Sequence, residues 1–220
     1  MSALRGDRAG NPDPLLVACA LRIEQTALRS AGRGDYALLR TGMGPRAAER
    51  SVARALERTG MERAAVLATG FCAGLVPGMH PGDLVVADQT RDPHGAVTCT
   101  GTALLAEALA RAVPGRTVHT GALTGSDHVV RGQERAQLRA TGAIAVDMES
   151  AATLWAATRG DRCPSEGGRP VAAVRVIVDA PEHELVRIGT VRGGISAFRV
   201  LRAVLPAFYD WHRSLLLPRR

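Results

Sequence analysis

The chain has 220 residues and a mass of 23.1 kDa, with 46% hydrophobic, 22% charged and only 3% aromatic residues. Those proportions exclude a disordered chain and predict one α/β domain over residues 1–220 with an aliphatic core, its first 13 residues flexible. The net charge of +7 is carried by arginine alone, scattered through helical patterns with no basic run beyond Arg219-Arg220, so no nucleic-acid partner is expected.

Cys19, Cys72, Cys99 and Cys163 are far apart and form no C-x-x-C pair, which argues against structural zinc and a redox dithiol. Met1 to Pro14 is polar and lacks a signal peptide's apolar region, and no apolar run approaches the ~20 residues of a membrane span. A cytoplasmic protein is the expectation.

Short branched apolar runs alternate with helical patterns, which predicts an α/β sheet rather than a bundle or sandwich. The strands are expected at Leu15 to Ala20, Tyr36 to Arg40, Ala64 to Ala68, Asp83 to Asp88, Thr117 to Leu123, Ala143 to Val146 and Val171 to Val178, most of them buried on both faces. Helices are expected from Pro45 to Gly60, from Thr102 to Val113, from about Gln133 and from Glu149. A long amphipathic helix from Thr190 to Leu217 should kink at Pro206, and Gly160 to Pro170 reads as a surface loop.

Five segments bear chemistry. Thr41-Gly42-Met43-Gly44-Pro45-Arg46-Ala47 is a glycine-rich strand-to-helix turn of the form G-x-G-x-x-A, suited to an anion at a helix N-terminus or simply to a tight turn. A dinucleotide-dependent oxidoreductase is disfavoured, because the next strand ends in Ala68-Thr69-Gly70-Phe71 with no acid for a ribose hydroxyl. Those small residues, through Gly74, leave room for a ligand against the backbone, or for close packing. In Asp147-Met148-Glu149-Ser150 two carboxylates flank a methionine where a strand gives way to a helix. Glu149 there could cap the helix or accept both hydroxyls of a ribose, with Met148 against the sugar. Asp179 leaves an apolar strand before Pro181, where burial would raise its pKa and suit a proton donor, or where it could merely start a turn. Glu24 follows the first strand as either a helix-start residue or a group facing a cleft.

In this order, from Leu15 to Asp179, the five segments resemble the nucleoside phosphorylases and nucleosidases, including methylthioadenosine/S-adenosylhomocysteine nucleosidase. Val146-Asp147-Met148-Glu149-Ser150 and the Arg175-x-x-x-Asp179 spacing are the most specific parts. Within that family the Asp-Met-Glu-Ser variant, the Val-Asp-Ala-Pro ending and the short length look most like the hopanoid-biosynthesis-associated phosphorylase. The resemblance implies a three-layer αβα sandwich with a mixed central sheet, and a bacterial, homo-oligomeric enzyme that releases adenine from a purine nucleoside. Its substrate would be a 5′-substituted adenosine such as adenosylhopane, or methylthioadenosine or S-adenosylhomocysteine in the alternative. No metal or organic cofactor is implied, and inorganic phosphate would be a co-substrate only in a phosphorolytic member.

Carried over residue by residue, Asp179 would protonate or hydrogen-bond purine N7, supported by Arg175. Glu149 and Met148 would hold the sugar, Val129 and Val130 would lie at the base, and Glu24 would position or activate the nucleophile. Gly44, Arg46, Thr69, Gly70 and Phe71 would form the phosphate or water pocket. Three positions depart from the family pattern. Phe71 replaces a serine that contacts the nucleophile, Ser126-Asp127-His128-Val129-Val130 lacks the aromatic that stacks on the base, and Val178 replaces a serine beside the acid. Phe71 and Val178 keep a non-catalytic nucleoside-binding protein as a rival reading. A hopanoid substrate would add peripheral contact with the inner membrane surface, with Arg199, Arg202 and Arg213 facing lipid and Trp211 at the interface. Core packing of that helix is the competing expectation.

Overall fold

In the computed structural model residues 13–31, 36–159, 168–181 and 191–216 are described. The order is β1 (Leu15–Cys19), α1 (Arg22–Ser30), β2 (Tyr36–Arg40), α2 (Pro45–Leu56), β3 (Ala65–Gly74), β4 (Leu84–Asp92), β5 (Gly95–Thr98), α3 (Thr102–Ala112), β6 (Val118–Gly125), α4 (Gln133–Ala140), β7 (Ala143–Asp147), α5 (Ser150–Thr158), β8 (Val171–Asp179), α6 (Val191–Ala203) and α7 (Leu205–Leu216). The eight strands form one mixed sheet. β2, β1, β3 and β8 run parallel, β4 is antiparallel to β8 and parallel to β6, and β7 joins β6 in parallel and the end of β3 antiparallel.

Successive strand residues point to opposite faces, and both faces here are apolar. Leu15 and Val17 join α1, α3, α6 and α7 through Leu28, Leu105, Leu201 and Phe208. Leu16 and Ala18 join α2 and α5 through Val52 and Leu154. The result is helices, sheet and helices in three layers, as the family resemblance implies.

The differences from the expected elements have local causes. β3 runs six residues past Ala68 because its far end, Ala73 and Gly74, pairs with Val146 and Ala145 of β7. Small residues through Thr69, Gly70 and Ala73 read as loop but serve a strand that needs room on both sides. β4 likewise continues to Asp92 and turns back as the exposed hairpin strand β5, which the sequence pattern does not reveal. The C-terminal helix is divided at Val204, two residues before the expected kink. Pro206 sits in the first turn of α7, where an N–H is not needed for the helix ladder.

The same helix corrects the lipid-facing reading. Val200, Leu201, Val204, Leu205, Phe208 and Trp211 are buried in the core, and Trp211 Nε1 donates to the Thr100 carbonyl at 2.8 Å. Trp211 therefore belongs to the interior and not to a membrane interface. Among the described residues no helix is long and apolar enough to cross a membrane. Of the segment read as a surface loop, 160–167 lie outside the described residues, as do 1–12. Arg169 is buried, donating to the carbonyls of Ala157, Ala64 and Glu62.

Candidate active site

β1, β3, β7 and β8 deliver their last residues to one edge of the sheet, where open α/β sheets leave a crevice. A cavity of about 270 Å³ lies there, lined by Glu24, Phe71, Val129, Val130, Arg135, Asp147, Met148, Glu149 and Asp179 among others. The structure thus brings together residues from six segments spread over 155 positions of sequence, from Glu24 to Asp179.

Arg175 organises the floor. It is 1% exposed, with Nε donating to Ser150 Oγ at 2.8 Å, Nη1 to the Thr69 carbonyl at 2.9 Å and Nη2 paired with Asp147 Oδ2 at 2.5 Å. Asp147 Oδ2 also accepts the Ser150 N–H, which starts α5. Glycine at position 70 is required by this packing. It pairs with Arg175 across β3 and β8, has φ +139°, and a Cβ there would stand 2.5 Å from both Arg175 Nη1 and Glu24 Oε1.

Glu24 is buried at the start of α1. Its Oε2 accepts from the amides of Ala20 and Leu21 at 2.9 and 2.8 Å, capping the helix, and Oε1 accepts from Phe71 N–H at 2.9 Å. Both sequence alternatives for Glu24 hold together, since it caps the helix and lines the cavity. Burial pushes its carboxyl above the ordinary glutamate range, against the opposing pull of Arg175 and of the three amides.

Glu149 precedes α5 and is also buried. Its Oε1 accepts the Gly44 N–H at 2.8 Å. The glycine-rich turn, with φ +83° at Gly42 and +86° at Gly44, therefore aims its amide at a carboxylate of the protein itself. Burial raises the Glu149 carboxyl as well, and Asp147 and Glu24 add repulsion that Arg175 and the Gly44 amide oppose.

Asp179 owes its position to a bulge. Cys72 pairs with Ile177 but Ala73 pairs with Asp179, so Val178 is the extra residue that re-aims the strand end. The expected apolar surroundings of Asp179 are corrected on one side, where its carboxylate is ion-paired with the Arg135 guanidinium. Val130 is buried and Val129 is exposed at the cavity mouth with Met43. His128 is exposed between Asp127 and Glu134, whose hydrogen bonds raise its imidazole above the ordinary histidine range.

Not all expected pocket residues converge. Arg46 lines a neighbouring cavity of about 400 Å³ with Trp155, Leu138 and His94, separated from the first by Met148 and His128, which line both. Thr69 contributes its carbonyl to Arg175, and its hydroxyl is buried without a hydrogen-bond partner among the described residues. Sequence reasoning missed Arg135, Asp147 and Ser150 as site components. Asp147 stood in a chemically suggestive segment, whereas Arg135 was one arginine among many on a helix. Among the described residues no three His, Cys, Asp or Glu side chains converge to hold a metal ion.

The Phosphorylase superfamily model matches residues 20–206, and the chain belongs to that superfamily. Its structure is similar to S-adenosylhomocysteine nucleosidase from Streptococcus pyogenes, at 20% identity over 96% of this chain and 100% of that one, with a TM-score of 0.74. It is also similar to 5′-methylthioadenosine/S-adenosylhomocysteine nucleosidase from S. pneumoniae (20% identity, 90% and 98% covered, TM-score 0.71) and to futalosine hydrolase of Helicobacter pylori (16% identity, 91% and 99% covered, TM-score 0.71). No curated protein matches the chain by sequence search. Superfamily membership supports an enzyme of the phosphorylase class, and the solved structures show that the fold is shared.

Proposed function

We propose that this superfamily member cleaves the N-glycosidic bond of a purine nucleoside, releasing adenine from a 5′-substituted adenosine. The observation that carries the reading is that Asp179, Glu149, Met148 and Glu24 line one cavity together. The C1′–N9 bond breaks with its electron pair going to the base, and Asp179, protonated on substrate binding and released from its pair with Arg135, supplies that proton to N7 so that the leaving group is neutral. A positioned acid contributes typically about 10²–10⁴-fold. Glu149 accepts the ribose hydroxyls and, with the nucleophile, stabilises positive charge developing on the sugar.

Water is the nucleophile this arrangement favours. All three nitrogens of Arg175 are engaged, and Asp147, Glu149 and Glu24 surround it, so a phosphate dianion would meet three carboxylates around one committed guanidinium. Glu24 accepts three amide N–H groups on about four lone-pair sites, leaving one for a water proton. The water oxygen bonds to C1′ as that proton passes to Glu24. No metal or organic cofactor enters these steps.

The 5′ substituent is the least constrained part. Met43 and Val129, 70% and 61% exposed, give the cavity mouth an apolar edge that suits a large apolar group such as a hopanoid, and a lipid-linked substrate would bring the protein to a membrane surface. Methylthioadenosine and S-adenosylhomocysteine are the smaller alternatives. Purified protein should release adenine from 5′-substituted adenosines, with free ribose derivative as the product whether or not phosphate is present. A sugar 1-phosphate would replace water by phosphate, and nucleoside binding without base release would favour a binding protein.

A further inference from the structure

The loop that leaves β6 is tied to α4 through two adjacent residues of that helix. The His128 ring lies with Nε2 3.0 Å from Glu134 Oε1, and Arg135 Nε donates to the Val130 carbonyl at 3.3 Å while its Nη2 pairs with Asp179. On the other edge of the ring Nδ1 lies 2.7 Å from Asp127 Oδ1. Ser126 closes the loop on itself, its hydroxyl accepting the His128 N–H at 3.2 Å and donating to the His128 carbonyl at 2.8 Å. Ionised carboxylates only accept, so both ring nitrogens must carry hydrogen and His128 is an imidazolium. A neutral ring would turn a lone pair on one of the two carboxylates and lose that bond. His128 lines both cavities. Arg46, Glu49, Asp92 and His94 share the larger one with it and Arg131, Arg135, Glu149 and Asp179 the smaller, but among the described residues its hydrogen-bonded charged partners are Asp127 and Glu134.

We propose that His128 is a positioning residue: as an imidazolium it straps residues 126–131 to α4, holding the Val130 carbonyl on which Arg135 rests when Asp179 leaves it for the base. The inference rests on the role given to Asp179 and adds the group that keeps that acid's neighbours in register. Without the strap the loop is free to move off α4, and Val130 and Arg135 lose their fixed place beside the acid. Hydrogen bonds to Asp127 and Glu134 raise the imidazole above the ordinary histidine value of 6.5. The strap is therefore complete below that raised pKa and is lost as pH rises through it. Its ion pairs are exposed, so each is modest and salt weakens it.

The test follows kcat/KM for 5′-methylthioadenosine against pH in the wild type, His128→Gln and His128→Arg, beside an NMR titration of the His128 ring. The wild type should lose at least ~3-fold on an alkaline limb whose midpoint matches the ring's own titration, above 6.5. His128→Gln, uncharged throughout, should sit at the lower level with no limb there, and His128→Arg, charged throughout, should keep the upper level across it. High salt should flatten the wild-type limb. A residue that merely packs the loop would leave any alkaline limb unchanged in both variants. A ring that titrates at or below 6.5, no limb at its midpoint, or a limb that survives in His128→Gln overturns the inference while leaving the proposed function standing. If the wild type releases no adenine the proposed function fails, and amide exchange at residues 129–131 decides. Protection lost in His128→Gln and kept in His128→Arg supports the strap, and equal protection in all three proteins overturns it.

Discussion

The Gly44 amide and Glu149 Oε1, 2.8 Å apart and 105 positions apart in sequence, tie the glycine-rich turn to the start of α5. Among the described residues no hydrogen bond holds Oε2, so the carboxylate is fixed by one oxygen and offers the other to a ligand. If that ligand is a ribose, Glu149→Gln should weaken turnover of ribosides at least ~10-fold more than turnover of 2′,3′-dideoxy analogues. Steady-state kinetics on the two substrates checks this. Equal losses would leave Glu149 as the fastener of the turn and nothing more.

The buried glutamates give two pH effects of opposite sign. As the proposed base Glu24 must be ionised, so its upward shift predicts that kcat/KM rises with pH along an acid limb whose midpoint lies above the ordinary glutamate value of 4.5. Glu24→Gln should abolish that limb along with most activity. Stability runs the other way. A carboxyl raised on folding contributes stability that is fully present below its unfolded pKa and is lost as pH rises through the folded one. Glu149→Gln should therefore lose less stability than the wild type between pH 4 and pH 8, as followed by urea unfolding.

Arg175 and Asp147 are almost entirely buried and paired, so removing one partner strands a charge. Arg175→Met should cost about 3–5 kcal/mol in urea unfolding. Asp147→Asn combined with Arg175→Met should be less damaging than the sum of the single changes, because the stranded carboxylate is then gone. Strict additivity would show that the pair does not interact as the geometry requires.

Much of this site is legible in the sequence, and the remainder is hidden for physical reasons. Glu24, Glu149, Met148 and Asp179 stand at strand ends or helix starts, where pattern alone places them on one edge of an α/β sheet, and the structure brings all four to the lining of one cavity. Arg175 is buried on β8, four residues before Asp179. The bulge at Val178 leaves no mark in composition, since an extra valine in an apolar strand looks like any other. Arg135 is invisible for a related reason: a helix of eight residues with two arginines gives no sign of which one is buried. The C-terminal helix shows the opposite error, a basic amphipathic pattern whose apolar stripe is spent entirely on the core.

Base release by the wild type and by Asp179→Asn, measured on a 5′-substituted adenosine, tests the central claim most directly. The amide keeps the size of the side chain but cannot give a proton to N7. Adenine release by the wild type, reduced at least ~10²-fold in a variant that unfolds in urea as the wild type does, is the predicted result. Turnover near the wild-type rate in that variant would contradict the assignment of Asp179 as the acid that lets the base depart.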